Sequence, residues 1–396
     1  MTGTEQIGTE GRDAENRDAA ERGALAGGVD LRLRTIECPL CGSERFSELL
    51  RGRDVRCGLE GRFVVVGCSA CGHQYLNPAP GALEACYPAD YAPHVAVVPR
   101  NEAEDTDAEA GVRASEGAKV GRPWYLRYLP LKQIPGLRRL YYWLLDDRTQ
   151  PVPLPEDLSV GDAADGAVRT DRLRAPRARA LEVGCATGSY LAALHRRGWA
   201  VQGVELCEGP ARAAVAAGWT VHQGTLETAG LADETFGLVA AWMVLEHVPR
   251  PVDTLAAMHR LLRPGGLLLL GVPNAGCWQR WLFGADWYCL DLPRHLQHFT
   301  EARLRAVLAS VGFGQIEILH HRTLSGLVGS LGIVLQRWNV LERPGRWLQG
   351  YPERPQLALQ LFLAPLAIVL SLLGQGEGLT IRARKRVPGA GHFVKE

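Results

Sequence analysis

The chain has 396 residues, 46% of them apolar and 22% charged, with a formal net charge of +1 at pH 7. That length allows two or three domains with a sizeable core, and the composition is ordinary for a globular protein. A balance this close to neutral advertises neither a nucleic-acid nor an anionic-lipid partner.

Residues 1–33 are rich in Gly, Ala, Glu and Arg without periodicity and are expected to form a disordered tail. The opening MTGTEQIGTEGRDAENRD has no apolar run of the kind that directs secretion, so a cytoplasmic protein is expected. In a reducing compartment, paired C-x-x-C motifs signal metal rather than disulfide. Two such pairs, Cys38-Pro-Leu-Cys41-Gly and Cys68-Ser-Ala-Cys71-Gly, lie within residues 34–92. Repeated spacing and the trailing glycines read as two knuckles presenting four thiolates to a zinc ion. A closed four-sulfur shell leaves no position for water, so the metal is expected to be structural. Cys57 and His73 are the substitute ligands, with His73 expected at the surface beside the second knuckle. Residues 93–176 read as a linker carrying an aromatic, basic helical pair over 123–148, broken at Pro130 and Pro135.

From residue 177 to the end, short apolar runs at 179–183, 201–205, 219–222, 237–242 and 266–272 alternate with helical stretches near 188–197, 209–217 and 252–263. That alternation predicts βαβ units and a parallel sheet. Two later strands are expected at 315–320 and 379–385. Between them, 357–373 is almost wholly apolar, but it contains Gln360 and Pro365 and is about three residues short of the ~20 needed to span a bilayer. A buried or interfacial helix packed on the sheet is expected there, with no transmembrane span.

The segment Ala180-Leu-Glu-Val-Gly-Cys-Ala-Thr-Gly-Ser-Tyr190 runs a buried strand into Gly184 and opens a helix at Gly188. Glycines there let a ligand lie against bare amides at a helix N-terminus. Glu182, at the strand end, suits a cationic ligand group. Glu205 ends the next apolar run, 21 residues after Gly184, where such folds bind ribose hydroxyls.

Together, LEVGCATGSYL, VELCEG, FGLVAAWMVLEHVPRP and LLRPGGLLLLGVPN resemble the successive motifs of class I S-adenosyl-L-methionine-dependent methyltransferases, over about residues 177–322. The resemblance implies an α/β fold with a seven-stranded Rossmann-like methyltransferase sheet, preceded by an N-terminal zinc-ribbon-like module. It also implies that Glu182, Gly184 and Gly188 contact the methionine part of the cofactor and Glu205 its ribose. Glu227, after the third strand, is the candidate on the adenine side. Two departures stand out. Ala186 replaces the family's middle glycine, and Phe236-Gly237 replaces a common Phe-Asp. The stretch from Cys68 to Tyr91 is also similar to a module often fused to a broad bacterial methyltransferase family.

Two segments follow the fourth and fifth strands, where the acceptor usually binds in such folds. Met243-Val-Leu-Glu-His247 is one, and Trp287-Tyr-Cys-Leu-Asp-Leu-Pro-Arg-His295-Leu-Gln-His298 is the other. His247, His295 and His298 are candidate general bases, since imidazole titrates near working pH; each could equally be a histidine that only braces its loop. Apolar-aromatic segments at 123–145, 276–289, 324–347 and 357–373 predict a small-molecule or lipid-linked acceptor, methylated at oxygen, nitrogen or carbon, and a peripheral membrane contact. An RNA methyltransferase and a non-catalytic cofactor-binding protein are the alternatives. Against the first stand the long spacing of the cysteine pairs and the absence of a basic module, so no nucleic-acid partner is expected. Against the second stand the intact Glu182, Gly184, Gly188 and Glu205.

Overall fold

The structure, a computed structural model, describes residues 25–26, 29–87, 150–158, 178–338 and 341–387. The aromatic pair expected over 123–148 and most of the linker lie outside the described residues. Leu31 belongs to the stretch expected as a tail, yet it is buried in an apolar cluster with Phe63, Leu76 and Trp287.

Two sheets organise the molecule. The smaller begins with β1 (Phe46–Gly52), β2 (Phe63–Cys68) and β3 (Gln74–Leu76), joined antiparallel. The larger is built from β4 (Arg179–Val183), β5 (Ala200–Glu205), β6 (Val221–Gln223), β7 (Phe236–Trp242) and β8 (Leu262–Pro273), all parallel. After β9 (Gln297–His298), discussed below, the chain returns to it through β10 (Phe313–His320) and β11 (Gly378–Lys385), the latter antiparallel to both neighbours. Spatial order is β10-β11-β8-β7-β4-β5-β6, the seven-stranded arrangement expected. The chain winds outward from β4 to β6 and then restarts at β7 on the other side of β4. Open α/β sheets bind ligands in the crevice where the winding reverses, so the crevice lies beyond the C-terminal ends of β4 and β7.

Burial on both faces explains why these strands read as continuous apolar runs. Alternate residues serve opposite layers. Leu181, Val239, Ala241, Leu268 and Leu270 face one core with Leu255, Met258 and Leu308, while Ala180, Leu238, Ala240, Leu267 and Leu269 face another with Tyr190, Leu194 and Trp199. The covering helices are α1 (Ser189–Arg196), α2 (Glu208–Ala216), α3 (Pro251–Leu261) and, after the short α4 (Trp278–Phe283), α5 (Glu301–Val311). Trp219, expected inside the third strand, precedes it and is buried with Leu191 and Ala214 instead.

β9 does not join the large sheet. It pairs with β3, so the sheet of the cysteine-bearing region takes its fourth strand from the chain that follows β8. The join is packed with Ala275, Cys277, Leu290, Leu292 and Leu296 against Phe63, Val65 and Cys86. It also holds a buried ion network, in which Arg294 donates to Asp54 at 2.7 and 2.9 Å and to Asp291 at 2.7 and 2.9 Å. Every arm of that guanidinium is used, which is the condition for a buried charge to be tolerated.

The last helices are α6 (Ser325–Arg337), α7 (Glu342–Gln349) and α8 (Leu357–Leu372). The expectation that α8 packs on the sheet holds only in part. Ala364 and Ala367 are its buried residues, whereas Phe362 is 80% and Leu372 75% exposed. A proline-containing helix that follows a bent turn meets the sheet edge along one narrow strip, tied by Ser371 Oγ donating to the His320 carbonyl at 2.8 Å. Among the described residues no single helix is long and apolar enough to cross a membrane; the pair Glu342–Glu353 and Leu357–Leu372, bent by 74°, has the length and composition together.

Candidate functional site

The crevice begins at the turn between β4 and α1. Gly184 has φ +70° and Gly188 φ +91°, backbone conformations natural to glycine. Neither has room for a side chain: a Cβ at Gly184 would lie 2.3 Å from Val244 Cγ2, and one at Gly188 2.6 Å from Trp219 Cδ1. Ala186 takes the same left-handed region, at φ +45°, so the alanine that stands for the middle glycine adopts a backbone conformation natural to glycine. The Glu205 carboxylate, at the end of β5, clasps this turn by accepting from Ala186 N–H and Cys207 N–H, both at 2.9 Å. Glu182 is buried behind it, and its Oε2 has no hydrogen-bond partner among the described residues. Burial, and then the neighbouring Glu205 carboxylate, push the Glu182 carboxyl well above the usual range. A buried acid in that condition suits a cation. Glu227 is exposed in the loop after β6.

Val244, which touches Gly184, leads from this turn to the far side of the crevice. Met243 begins that segment at φ +54° and is 45% exposed, a strained and uncovered residue of the kind that gathers at functional sites. Glu246 and His247 follow. Glu246 is 1% exposed and neither carboxylate oxygen has a hydrogen-bond partner among the described residues; burial raises its carboxyl to about 8. His247 Nδ1 lies 3.0 Å from the Arg294 carbonyl and 2.8 Å from the Tyr87 hydroxyl. His295 Nδ1 lies 2.8 Å from the Cys289 carbonyl. The two rings meet edge to face, 4.6 Å between centroids. Burial, helped by the facing His295, lowers His247 to about 3, and burial lowers His295 as well. Two of the three candidate histidines therefore come together. His298, buried in β9 with no hydrogen-bond partner for its Nε2 among the described residues, stands outside their cluster.

The four cysteines also converge. Cys38 and Cys71 sulfurs are 3.6 Å apart, as are those of Cys41 and Cys68, and all four lie within 4.8 Å of one another. Thiolates around tetrahedral zinc at ~2.3 Å stand ~3.8 Å apart, so the set fits the ion. Each knuckle closes alike, Gly42 N–H donating to the Cys38 carbonyl and Gly72 N–H to that of Cys68, both at 2.8 Å, with both glycines at positive φ. His73 is not the surface residue expected: it is fully buried, 2.9 Å from the Gln297 amide oxygen, because β9 covers it.

Three participants were missed from sequence. Glu246 had a signal, being adjacent to His247 after a strand end. Tyr87 and the Asp54–Arg294–Asp291 network had none, since their partners lie 160 and 240 positions away in the chain.

Residues 163–318 match the family model described as a methyltransferase domain. Among curated proteins, the ubiquinone biosynthesis O-methyltransferase of Pseudomonas paraeruginosa (strain DSM 24068 / PA7) is 33% identical over 131 residues, 31% of this chain and 56% of the relative. That of Pseudomonas fluorescens (strain SBW25) is 30% identical over 141 residues, 33% of this chain and 60% of the relative. The chain thus covers less than two thirds of the length of these relatives. A solved S-adenosylmethionine-dependent methyltransferase from Mesorhizobium loti aligns at 19% identity and a TM-score of 0.37, over 53% of this chain and 94% of that one. Over residues 163–318, this chain is thus similar to a methyltransferase domain.

Proposed function

We propose that the protein transfers the methyl group of S-adenosyl-L-methionine to a small-molecule or lipid-linked acceptor. The observation that carries this reading is the β4–α1 turn at the point where the sheet winding reverses, with a buried Glu182 oxygen behind it that has no hydrogen-bond partner among the described residues. Glu182, Gly184 and Gly188 would hold the methionine part, Glu205 the ribose and Glu227 the adenine side. The cofactor supplies a sulfonium-bound methyl group. The chain's own work is to align the acceptor in line with that bond and to keep water out. Val244, set between Gly184 and Glu246, supports assigning the Glu246–His247–His295 cluster to the acceptor side, where it would activate the acceptor. Cys38, Cys41, Cys68 and Cys71 hold a structural zinc ion, which takes no part in the chemistry.

Names of the relatives favour an oxygen acceptor, and the uncovered apolar side of α8 favours a lipid-linked one at a membrane surface. All ten cysteines are free, which suits the reducing cytoplasm. The test is calorimetry with S-adenosylmethionine and S-adenosylhomocysteine on zinc-loaded protein, then a product assay against phenolic, amine and carbon acceptors. Binding in the micromolar range that is lost in Gly188→Val is the expected result. No binding of either compound to the folded protein overturns the proposal.

A further inference from the structure

Glu246, His247 and His295 each bring a potential ligand atom to one place, all within 4.8 Å of one another. Their surroundings decide what belongs there. A carbonyl oxygen can only accept, so the contact of His247 Nδ1 with the Arg294 carbonyl and that of His295 Nδ1 with the Cys289 carbonyl put the proton on Nδ1 in both rings. The Tyr87 hydroxyl, 2.8 Å from His247 Nδ1, then shares that proton as a second acceptor. Each ring is left with an unprotonated Nε2. Histidines that ligate metals are oriented in the same way, donating the far N–H to a backbone carbonyl or carboxylate. The third member, Glu246, is buried, and among the described residues neither of its oxygens receives a hydrogen bond. Were it simply a structural carboxyl, a donor should face it, since burying an unsatisfied carboxylate is costly.

We propose that Glu246, His247 and His295 bind a divalent transition-metal ion on the acceptor side of the crevice, a centre separate from the four cysteines. Two imidazoles and one carboxylate suit Mn²⁺, Fe²⁺, Co²⁺ or Zn²⁺ and leave coordination positions open. The role of the ion rests on the methyl-transfer reading above, although its binding does not. An acceptor hydroxyl occupying an open position is made more acidic by the ion. Its proton leaves to solvent and its oxygen forms the new C–O bond. The methyl C–S bond breaks, and the electron pair stays on the sulfur of S-adenosylhomocysteine. The histidines then act as ligands rather than as bases. Tyr87, from the cysteine-bearing region, is a positioning residue that helps to hold His247 in its ligating tautomer.

Manganese is the probe, because its preference for oxygen and nitrogen donors spares the four-thiolate site. Titration of full-length, zinc-loaded protein with Mn²⁺, followed by electron paramagnetic resonance, should show one ion bound per chain. Glu246→Gln, which keeps the side-chain shape, should weaken binding at least ~10-fold, and His295→Ala should do the same; Tyr87→Phe should weaken it less. Calorimetry with S-adenosylhomocysteine runs in parallel. Cofactor binding without Mn²⁺ binding overturns the metal site and leaves methyl transfer standing; Mn²⁺ binding without cofactor binding does the reverse. Unchanged Mn²⁺ affinity in folded Glu246→Gln also overturns the site, and the wild-type titration decides the matter even if a variant does not fold.

Discussion

Ala186 holds φ +45° in a turn whose flanking glycines have no such penalty. A left-handed alanine costs roughly 1 kcal/mol relative to glycine. Ala186→Gly should therefore raise the unfolding midpoint by the equivalent of ~1 kcal/mol, read by denaturant titration; an unchanged or lower midpoint would mean that the turn is not held as described. Glu205 carries a double burden, since its oxygens already accept from Ala186 and Cys207 amides. Glu205→Ala should lose ~1–3 kcal/mol of stability through those amides and also weaken S-adenosylmethionine by ~1–3 kcal/mol through the lost ribose contact. Calorimetry that finds unchanged cofactor affinity refutes the ribose role. Gly184, Gly188, Glu182 and Glu205 could be read from sequence because a strand, a tight turn and the next strand end place them within about 20 positions of each other. Tyr87 could not, because a tertiary meeting rather than a spacing brings it to His247, and Glu246 offered only its adjacency to His247 after a strand end.

At the scale of elements, the strands of the large sheet were legible because burial on both faces writes an unbroken apolar run. β9 was not, being two residues long and paired with a strand over 200 positions away. α6 shows a device that sequence hides altogether. Its first turn is capped by Glu377, which comes just before β11, with Oε1 accepting from Gly326 N–H at 2.9 Å and Oε2 from the Gln279 amide at 3.0 Å. Burial nevertheless raises this carboxyl from 4.5 to about 7, the capping bonds offsetting only part of that cost. A carboxyl raised on folding contributes stability that is present below its unfolded pKa and lost as pH rises through the folded one. Stability of the wild type should accordingly fall between about pH 4.5 and 7 by an amount on the order of 1–3 kcal/mol from this group. Glu377→Gln should flatten that slope and melt higher than wild type at pH 8. A parallel slope in the variant would assign the pH dependence elsewhere. The cysteine-bearing element gives a second expectation. Zinc contributes on the order of 10 kcal/mol to such modules, and this one shares β9 and the Arg294 network with the methyltransferase domain. Cys68→Ser should therefore release the zinc and also disorder the Tyr87–His247 contact, whereas for a detached module cofactor and acceptor handling would be untouched. Metal analysis together with acceptor KM separates the two outcomes.

For the molecule as a whole, sequence conveyed the seven strands and the crevice between β4 and β7, since motif order dictates winding. It did not convey that the cysteine-bearing region and the domain share one sheet, nor that Tyr87 of that region meets His247. Nor did it reveal the face that α8 leaves open. Phe362, Leu366, Val369 and Leu373 recur at helical spacing along one stripe, all at least half uncovered or nearly so, opposite the buried Ala364 and Ala367. A 16-residue helix is ~24 Å long, short of a ~30 Å hydrocarbon core, so it suits lying in a membrane interface rather than crossing it. Seating these four large apolar side chains there would be worth several kcal/mol at ~25 cal/mol per Å², and would bring a lipid-linked acceptor to the protein. Purified protein should therefore sediment with phosphatidylcholine vesicles, and the double variant Phe362→Gln, Leu372→Gln should not. Both side chains are mostly exposed, so the variant should keep the wild-type melting temperature, and loss of vesicle binding would then report the surface alone. Wild-type protein that stays in the supernatant, or that buries this face as a dimer in ultracentrifugation, would show that α8 meets a second copy or nothing, and the acceptor would then be a soluble one.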